Sequence, residues 1–423
     1  MNPAEQIILS NLELTRVFFA LALLLVSAHI FGYFFQHFKI PRVIGEIFGG
    51  FILGPSMLGF AFPQAYNWLF DAFAMEGKLL SLIYWIGLAL LMFISGFEIQ
   101  KSISKDDKKI IVAVLLGSTL IPFVAGWLAP FLYDFTPYVG HAGNLTALTI
   151  VIAVAVAVTS IPVISKIFID LGIVNTRFSK IVLATATIHD VILWVALALA
   201  TELASGNIIS KTSILMNVLI TVSFFAVALL VMPRLMRFIN GLRSNLLVKS
   251  SVSGYILFIC LLFAGIASVL NVNVVFGALL AGIVVGMMTG DKFTAARMQI
   301  REMGMGFFIP IYFAIVGLKL DLIRHFDWKF FVGFLIFATF FQMAGTILAT
   351  RLIKLDWLSS FNFGMAMNAR GGPGIVLATV AYDLGIINEP FFVALVLIAI
   401  TTSLGAGVWF RVALDKGYPL IKE

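Results

Sequence analysis

Charged residues are scarce in this sequence. Asp, Glu, Lys and Arg together make up 12% of the 423 residues, about half the share in soluble globular proteins. Hydrophobic residues make up 61%, and the mean hydropathy is +1.06. This composition excludes a water-soluble globular protein. The net charge of +7 does not indicate a nucleic-acid partner, because the basic residues lie in short segments between apolar runs rather than on one polar face.

Cysteine and recognisable catalytic motifs are scarce as well. Cys260 is the single cysteine and lies in an apolar run, so an intrachain disulfide is excluded. The sequence shows no nucleophile–base pairing, metal-ligand spacing or phosphate-binding loop, and residues 370–374 do not match a nucleotide-binding fingerprint. We therefore expect neither an enzyme nor a resident cofactor.

Long apolar runs fill the chain instead. A helix that crosses a bilayer needs about 20 mostly apolar residues. On this basis the sequence predicts an all-α polytopic membrane protein, a single membrane domain over residues 1–423 with about 13 transmembrane helices. Their approximate ranges are 14–36, 41–59, 79–98, 109–133, 145–171, 177–203, 212–238, 249–271, 274–290, 302–319, 329–352, 360–385 and 390–414.

Lys and Arg are distributed unequally among the segments that join these helices. Most of the 28 basic residues lie in alternate loops, which include 101–109, 234–249 and 292–301. Because such loops stay in the cytoplasm, the pattern predicts an N-terminus outside and a C-terminus in the cytoplasm. Short loops without an organelle signal favour a bacterial inner membrane.

An internal repeat connects the fifth and twelfth predicted helices. The sequence Ile-Asp-Leu-Gly-Ile-Val-Asn at 169–175 matches Tyr-Asp-Leu-Gly-Ile-Ile-Asn at 382–388, 213 residues later. The two helices are seven apart in the predicted order, with six helices between them, so their topologies are opposite. This pattern is typical of transporters built from inverted repeats.

Both of these helices also contain residues that interrupt helices. Proline removes a backbone donor, and paired glycines favour non-helical backbone. Freed backbone groups cannot face lipid, so they line protein or a watery cavity near the membrane midplane. A simple proline kink is the alternative. The predicted breaks are at Pro162 in helix 5 and at Gly371, Gly372 and Pro373 in helix 12.

Asp190 is the strongest candidate for a site residue. It lies in the middle of the sixth predicted helix, where a carboxylate costs at least about 2.5–3.5 kcal/mol on insertion scales and so indicates a function. A carboxylate is a hard oxygen ligand for which a monovalent metal cation and a proton can compete. The alternative is a buried aspartate whose bonds are satisfied by neighbouring hydroxyl groups.

Other polar side chains accompany Asp190. Thr159, Ser160 and Thr187 supply candidate oxygen ligands for the cation. His189 points about 100° away from Asp190 around the helix. Two interpretations of this histidine stay open: a second proton carrier, or a neutral side chain packed between helices.

Two further charges lie within predicted helices. Arg370 follows the first half of helix 12, where it either compensates the negative end of that half-helix or serves as a counter-charge to Asp190. Glu46 lies between Gly45 and Gly49, and small flanking residues permit close helix packing. For Glu46 a structural hydrogen bond is favoured over a role in transport.

With these features the chain resembles the monovalent cation/proton antiporter superfamily. It is most similar to the branch of bacterial sodium/proton antiporters and Kef-type potassium efflux proteins. The matching motifs follow the family order along nearly the whole chain. They lie at 41–46, 54–56, 93–98, 159–160, Asp190, 313–317 with Asp321, and 370–372.

The resemblance implies a fold and a way of working. Helices 5 and 12 would cross at their unwound centres within a transport core of about 109–203 and 329–414. That core would move against a dimerisation part of about 14–98 and 212–319 and expose Asp190 to each side in turn. The resemblance also implies a homodimer. A separate cytoplasmic regulator would be a further partner under the gated-subunit alternative given below.

Two departures from the family pattern concern charge. Electrogenic members carry a pair of aspartates where this chain has His189 and Asp190, and a lysine in helix 11 where it has Gln342. The hypothesis is therefore an electroneutral antiporter that exchanges one sodium, potassium or lithium ion for one proton. Two alternatives remain: a potassium-efflux or channel-like subunit gated by a separate protein, and a sodium-coupled symporter of an organic solute.

Overall fold

The structure is a computed structural model that describes residues 10–38, 40–71, 76–98, 107–204, 219–220, 223–241, 245–270, 272 and 274–422. Within these residues the fold is all-α, with one isolated antiparallel bridge between Val139 and Ile387. The main helices are α1 (Asn11–His37), α2 (Arg42–Leu53), α3 (Glu76–Glu98), α4 (Lys108–Leu128), α5 (Leu145–Ala157), α6 (Ile161–Asp170), α7 (Arg177–Ala204), α8 (Met232–Gly241), α9 (Val252–Val269), α10 (Val274–Gly286), α11 (Asp291–Met303), α12 (Ile309–Leu318), α13 (Trp328–Leu352), α14 (Trp357–Met367), α15 (Gly371–Asp383) and α16 (Glu389–Asp415).

Shorter helical pieces join some of these helices. They are Leu58–Ala61, Pro63–Phe70 and Leu246–Ser250, the 3₁₀ turns Ala129–Phe131 and Thr136–Tyr138, and the π-helical turns Val227–Val231 and Gly304–Phe308.

The helices confirm the predicted all-α membrane fold. In the described part of the chain, nine helical stretches are long and apolar enough to cross a membrane, and α5 and α10 are shorter apolar helices. Residues 212–218, at the start of the seventh predicted helix, lie outside the described residues.

The second predicted helix, 41–59, matches the apolar span Arg42–Ala61, within which α2 ends at Leu53 and a short helix follows the Gly-Pro pair at 54–55. The predicted start of the tenth helix was wrong. This helix begins at Asp291 instead of 302, because the polar helix α11 continues through a π-helical turn into the apolar helix α12.

The chain divides into two compact units, Met1–Leu91 with Ile300–Arg324, and Met92–Gln299 with His325–Glu423. Helices α8 to α10, which the sequence grouped with the dimerisation part, belong to the second unit. The proposed division into a transport core and a dimerisation part concerns movement and stays a prediction.

Glycines hold the helices of the first unit together. A Cβ atom on Gly45 of α2 would lie 2.2 Å from the carbonyl oxygen of Phe31 on α1. One on Gly50 would lie 1.7 Å from the carbonyl oxygen of Ala314 on α12. Larger residues would therefore force these backbones apart, which confirms that the glycines around Glu46 serve close packing.

The second unit contains the two interrupted helices. The fifth predicted helix is α5 followed by α6, and the twelfth is α14 followed by α15. Helices α4 and α13 pack beside them and cross at Gly117 and Gly345, where a Cβ on either glycine would lie 2.4–2.5 Å from the other's carbonyl oxygen. A buried apolar cluster fills one end of the unit, with contacting rings of Phe168, Phe178 and Phe410 at its centre.

The sequence repeat is also a structural repeat. Helix α6 ends with a hydrogen bond from the Ile173 amide to the Phe168 carbonyl (2.9 Å), and α15 ends with the same bond from Ile386 to Ala381 (2.8 Å). The glycine before each donor has a positive φ, +70° at Gly172 and +66° at Gly385. These are the same glycine-dependent C-terminal caps, 213 residues apart.

Candidate functional site

The two helix breaks lie at the centre of the candidate site. Residues 158–160 separate α5 from α6, and residues 368–370 separate α14 from α15. The residues predicted to cause the breaks come just after them: Pro162 is the second residue of α6, and Gly371, Gly372 and Pro373 open α15. Proline is tolerated in the first turn of a helix, where its missing N–H has no intrahelical partner.

The breaks contact each other. The Thr159 hydroxyl lies 3.4 Å from the carbonyl oxygen of Ala369 and donates a hydrogen bond to it. A Cβ on Gly371 would lie 2.9 Å from the Ser160 hydroxyl oxygen and 2.2 Å from a methyl carbon of Val163. Thr159 and Ser160 are fully buried. The interrupted helices therefore meet at their non-helical centres.

Arg370 links the second break to the end of the first half-helix. Its side chain is 2% exposed, and its Nε and Nη2 donate to the carbonyls of Ala155 (3.2 Å) and Val156 (3.1 Å). Nη1 donates to the Oδ1 of Asn368 at 2.7 Å. The guanidinium thus binds carbonyl groups at the negative end of α5, and Nη1 also lies 3.5 Å from the carbonyl oxygen of Asn368, the C-cap of its own half-helix α14. The expected compensation of its own half-helix stays a prediction, and the contact with α5 is an addition to it.

Hydroxyl groups of α16 satisfy the backbone amides at the second break. The amide of Arg370 donates to the Thr402 oxygen (3.4 Å), and that of Gly371 donates to the Ser403 oxygen (3.0 Å). Each hydroxyl in turn donates to a carbonyl one turn earlier, Ile398 or Ala399. Buried amides at a broken helix need such acceptors.

Gln342 of α13 binds the C-terminal end of α14, the first half of the second interrupted helix. It is fully buried, and its Nε2 donates to the carbonyl of Met367, the last residue of α14 (3.0 Å). Its Oε1 has no hydrogen-bond partner among the described residues. Gln342 is thus a neutral donor at a negative half-helix end.

His189 lies beside the end of the first half-helix. Its ring is completely buried next to the backbone of Ser118 on α4 and of Ala157, the last residue of α5. Neither ring nitrogen makes a hydrogen bond of normal geometry within the described part of the chain. Its place between three helices fits the packed interpretation, and its role in proton transfer stays open.

Asp190 and Thr187 lie on the same helix, α7. Their side chains, and that of Pro162, lie outside the described part of the structure. The repeat nevertheless relates their positions to residues that are described. The two copies of the repeat are offset by 213 residues. At this offset His189 and Asp190 correspond to Thr402 and Ser403, and Ala157 corresponds to Arg370.

Residues that correspond in the two repeats also make corresponding contacts. Thr402 contacts the Arg370 backbone, and at the corresponding positions His189 lies beside the Ala157 backbone. The position of Asp190 therefore corresponds to that of Ser403, which binds an amide of the second break. Sequence reasoning missed Thr402, Ser403 and Asn368, although the repeat offset alone leads to the first two.

Glu46 belongs to the first unit. Its carboxylate pairs with Arg42 one turn earlier at 2.8 Å. Arg42 also contacts His29 Nδ1 at 2.5 Å, and His29 Nε2 lies 2.9 Å from the carbonyl oxygen of Gly306. The sequence favoured a structural role for Glu46 without finding this ion pair, which the i,i+4 spacing would have suggested.

This fold resembles solved antiporter structures. A structure of the sodium proton antiporter MjNhaP1 from Methanocaldococcus jannaschii at pH 8 matches with a TM-score of 0.61 at 15% identity and covers 95% of this chain and 97% of that one. An electron-microscopy structure of the same antiporter matches with a TM-score of 0.58 at 16% identity. These likenesses show the fold.

The family follows from the sequence as a whole. The model of the family "Sodium/hydrogen exchanger, transmembrane" matches residues 23–416, so the chain belongs to this family of membrane transporters. This confirms the resemblance found from the motifs.

Named relatives differ in length. K(+)/H(+) antiporter 1 of Saccharomyces cerevisiae is 29% identical over 93% of this chain and 46% of its own length. Cation/H(+) antiporter 18 of Arabidopsis thaliana is 26% identical over 90% and 47%. The Na(+)/H(+)-K(+) antiporter GerN of Bacillus cereus is 26% identical over 92% and 93%. The chain spans about half the length of the first two.

Proposed function

We propose that this chain is a secondary antiporter, which exchanges a monovalent cation for protons by alternating access. The observation that carries the proposal is the contact between two interrupted helices whose ends are bound by buried polar groups, in a chain of the sodium/hydrogen exchanger family. Helix breaks of this kind place backbone partial charges where a cation can bind inside a membrane.

Asp190 is the proposed binding group for the cation and, in turn, for the proton. Its position corresponds to that of Ser403, whose hydroxyl accepts a hydrogen bond at the second break, and this correspondence supports a position for Asp190 beside the first break. Thr159 donates its hydroxyl proton to Ala369 and keeps its oxygen lone pairs for a cation. Ser160 and Thr187 complete the proposed ligand set.

The described charges favour electroneutral exchange. Arg370 is held by the carbonyl groups of Ala155 and Val156 and by Asn368, so it acts as a fixed charge. Gln342 contributes a neutral donor to α14 where electrogenic relatives carry lysine. With Asp190 as the one exchanging carboxylate, each cycle moves one cation against one proton.

Sodium is the proposed cation, with potassium and lithium as substrates to compare. The names of the relatives differ in this respect, since they include K(+)/H(+) and Na(+)/H(+)-K(+) antiporters. We propose further that the chain forms homodimers in a bacterial inner membrane, with its N-terminus outside and its C-terminus in the cytoplasm. The unequal distribution of Lys and Arg supports this orientation.

The test is cation-induced proton movement in proteoliposomes that contain a pH-sensitive dye. Wild type is compared with Asp190→Asn and with Asp415→Asn, an exposed carboxylate at the end of α16, across sodium, lithium and potassium. Proton movement with one or more cations is expected in wild type and Asp415→Asn, and none in Asp190→Asn. Absence of any response in wild type would favour the gated-subunit or symporter alternatives.

A further inference from the structure

An apolar groove runs along the surface between α4 and α13. The two helices touch where Gly117 faces Gly345, and the groove between them is lined as far as Lys108 and Leu352. The space between them has a volume of about 580 Å³. Apart from the two lysines at its end, its lining consists of aliphatic side chains and glycine, including Leu116.

The walls of the groove are exposed. The side chains of Leu116, Leu120 and Leu348 are 53%, 57% and 54% exposed, and that of Leu352 is 76% exposed. In a membrane protein such a surface faces lipid, and aliphatic walls give an occupant nothing to which it could hydrogen-bond. A groove with such walls suits a hydrocarbon chain.

Positive charge lies at one end of the groove. Lys108 and Lys109, in the first turn of α4, line this end together with Leu352 and Ile353. Among the described residues the nearby carboxylate of Asp107 pairs with Arg177 at 2.9 Å, and no ion pair involves either lysine. Two ammonium groups at the mouth of an apolar groove suit an anionic headgroup.

The length of the groove is close to the thickness of the hydrocarbon layer in one leaflet of a bilayer. From Lys108 to Leu120 the helix rises about 18 Å at 1.5 Å per residue. Half of the hydrocarbon core of a bilayer is about 15 Å thick. A lipid whose phosphate lies at the lysines would thus extend one acyl chain past Leu116 to Leu120.

We propose that this groove binds an anionic phospholipid, with its phosphate at Lys108 and Lys109 and one acyl chain along Leu116 and Leu120. The site is separate from Asp190. Its walls are nevertheless the outer faces of two helices that carry Ser118, beside His189, and Gln342, the donor to α14.

The test measures lipid binding to the purified chain in detergent by native mass spectrometry. Phosphatidylglycerol is compared with phosphatidylcholine of the same acyl chains. Wild type is expected to bind phosphatidylglycerol more tightly. K108Q/K109Q is expected to bind it about 30-fold more weakly, and each single substitution about 5-fold, so the proposal stays testable if the double variant misfolds.

Two further variants separate the headgroup from the acyl chain. Leu116→Trp places a ring in the groove and is expected to weaken both lipids. K180Q/K416Q removes two exposed lysines outside the groove and is expected to bind like wild type. Equal binding of the two lipids by wild type would overturn the proposal. So would the same loss in the K180Q/K416Q control, or phosphatidylglycerol binding that neither the lysine substitutions nor Leu116→Trp weakens.

Discussion

The guanidinium Nη2 of Arg370 lies 3.1 Å from the carbonyl oxygen of Val156. This bond joins the break of one interrupted helix to the end of the other, because Val156 lies in the last turn of α5 and Arg370 immediately precedes α15. A positive charge here stabilises carbonyl groups that have no intrahelical partners and cannot reach water. Arg370 is therefore a buried charged side chain that joins the two repeats.

Arg370→Ala is expected to abolish exchange and to lower the free energy of unfolding by at least about 3 kcal/mol. The carbonyls of Ala155 and Val156 and the amide oxygen of Asn368 would all lose a charged donor, and each buried group left unpaired costs about 1–3 kcal/mol. Thermal unfolding in detergent and proton movement in vesicles measure the two effects.

Arg370→Lys serves as the partial control. A lysine keeps the charge but lacks the planar fork that reaches several acceptors, so an intermediate loss of stability is expected. If Arg370→Ala were as stable and as active as wild type, neither stability nor exchange would depend on the bonds that Arg370 makes between the breaks.

Thr402→Val combined with Ser403→Ala is expected to slow exchange without changing the preference among cations. The amides of Arg370 and Gly371 would lose their acceptors at a cost of about 1–3 kcal/mol each, while the proposed cation ligands stay in place. Initial rates and half-saturating concentrations for each cation distinguish these effects. Thr401→Val, an exposed neighbour on α16, is the matched control and should behave like wild type. A changed cation preference in the double variant would instead indicate that these hydroxyl groups bind the cation directly.

Gly172→Ala and Gly385→Ala test the two matching helix ends against each other. Both glycines have positive φ, so each alanine should cost about 1–2 kcal/mol in backbone strain. A Cβ at Gly172 meets open space, whereas one at Gly385 would lie 2.3 Å from the His141 ring. Gly385→Ala should therefore lower the unfolding temperature more than Gly172→Ala does. Equal effects would mean that the His141 ring moves away without cost.

The sequence pointed to those parts of the candidate site that leave a local signal, and among them the role of Asp190 stays a prediction. An aspartate within an apolar helix, glycines and prolines near a helix break, and a repeated helix end are each visible in a few residues. Gln342 was found through the family resemblance, and the structure adds its bond to Met367.

Other features depended on tertiary packing. Two hydroxyl residues in an apolar helix are ordinary, so Thr402 and Ser403 gave no local signal. Four half-helix ends meet at the breaks, and only packing decides that Arg370 binds the end of α5. The polar helix α11 was missed because the search looked for apolar runs, and the apolar run here begins only at about residue 302.

The proposed function requires coupled exchange of one cation for one proton. The most direct test counts labelled cation uptake and proton release in the same vesicles, at zero potential and at an imposed inside-negative potential. We expect a ratio of one at both potentials, with an unchanged rate. Cation uptake without proton release, or a steady current linked to proton movement, would contradict it.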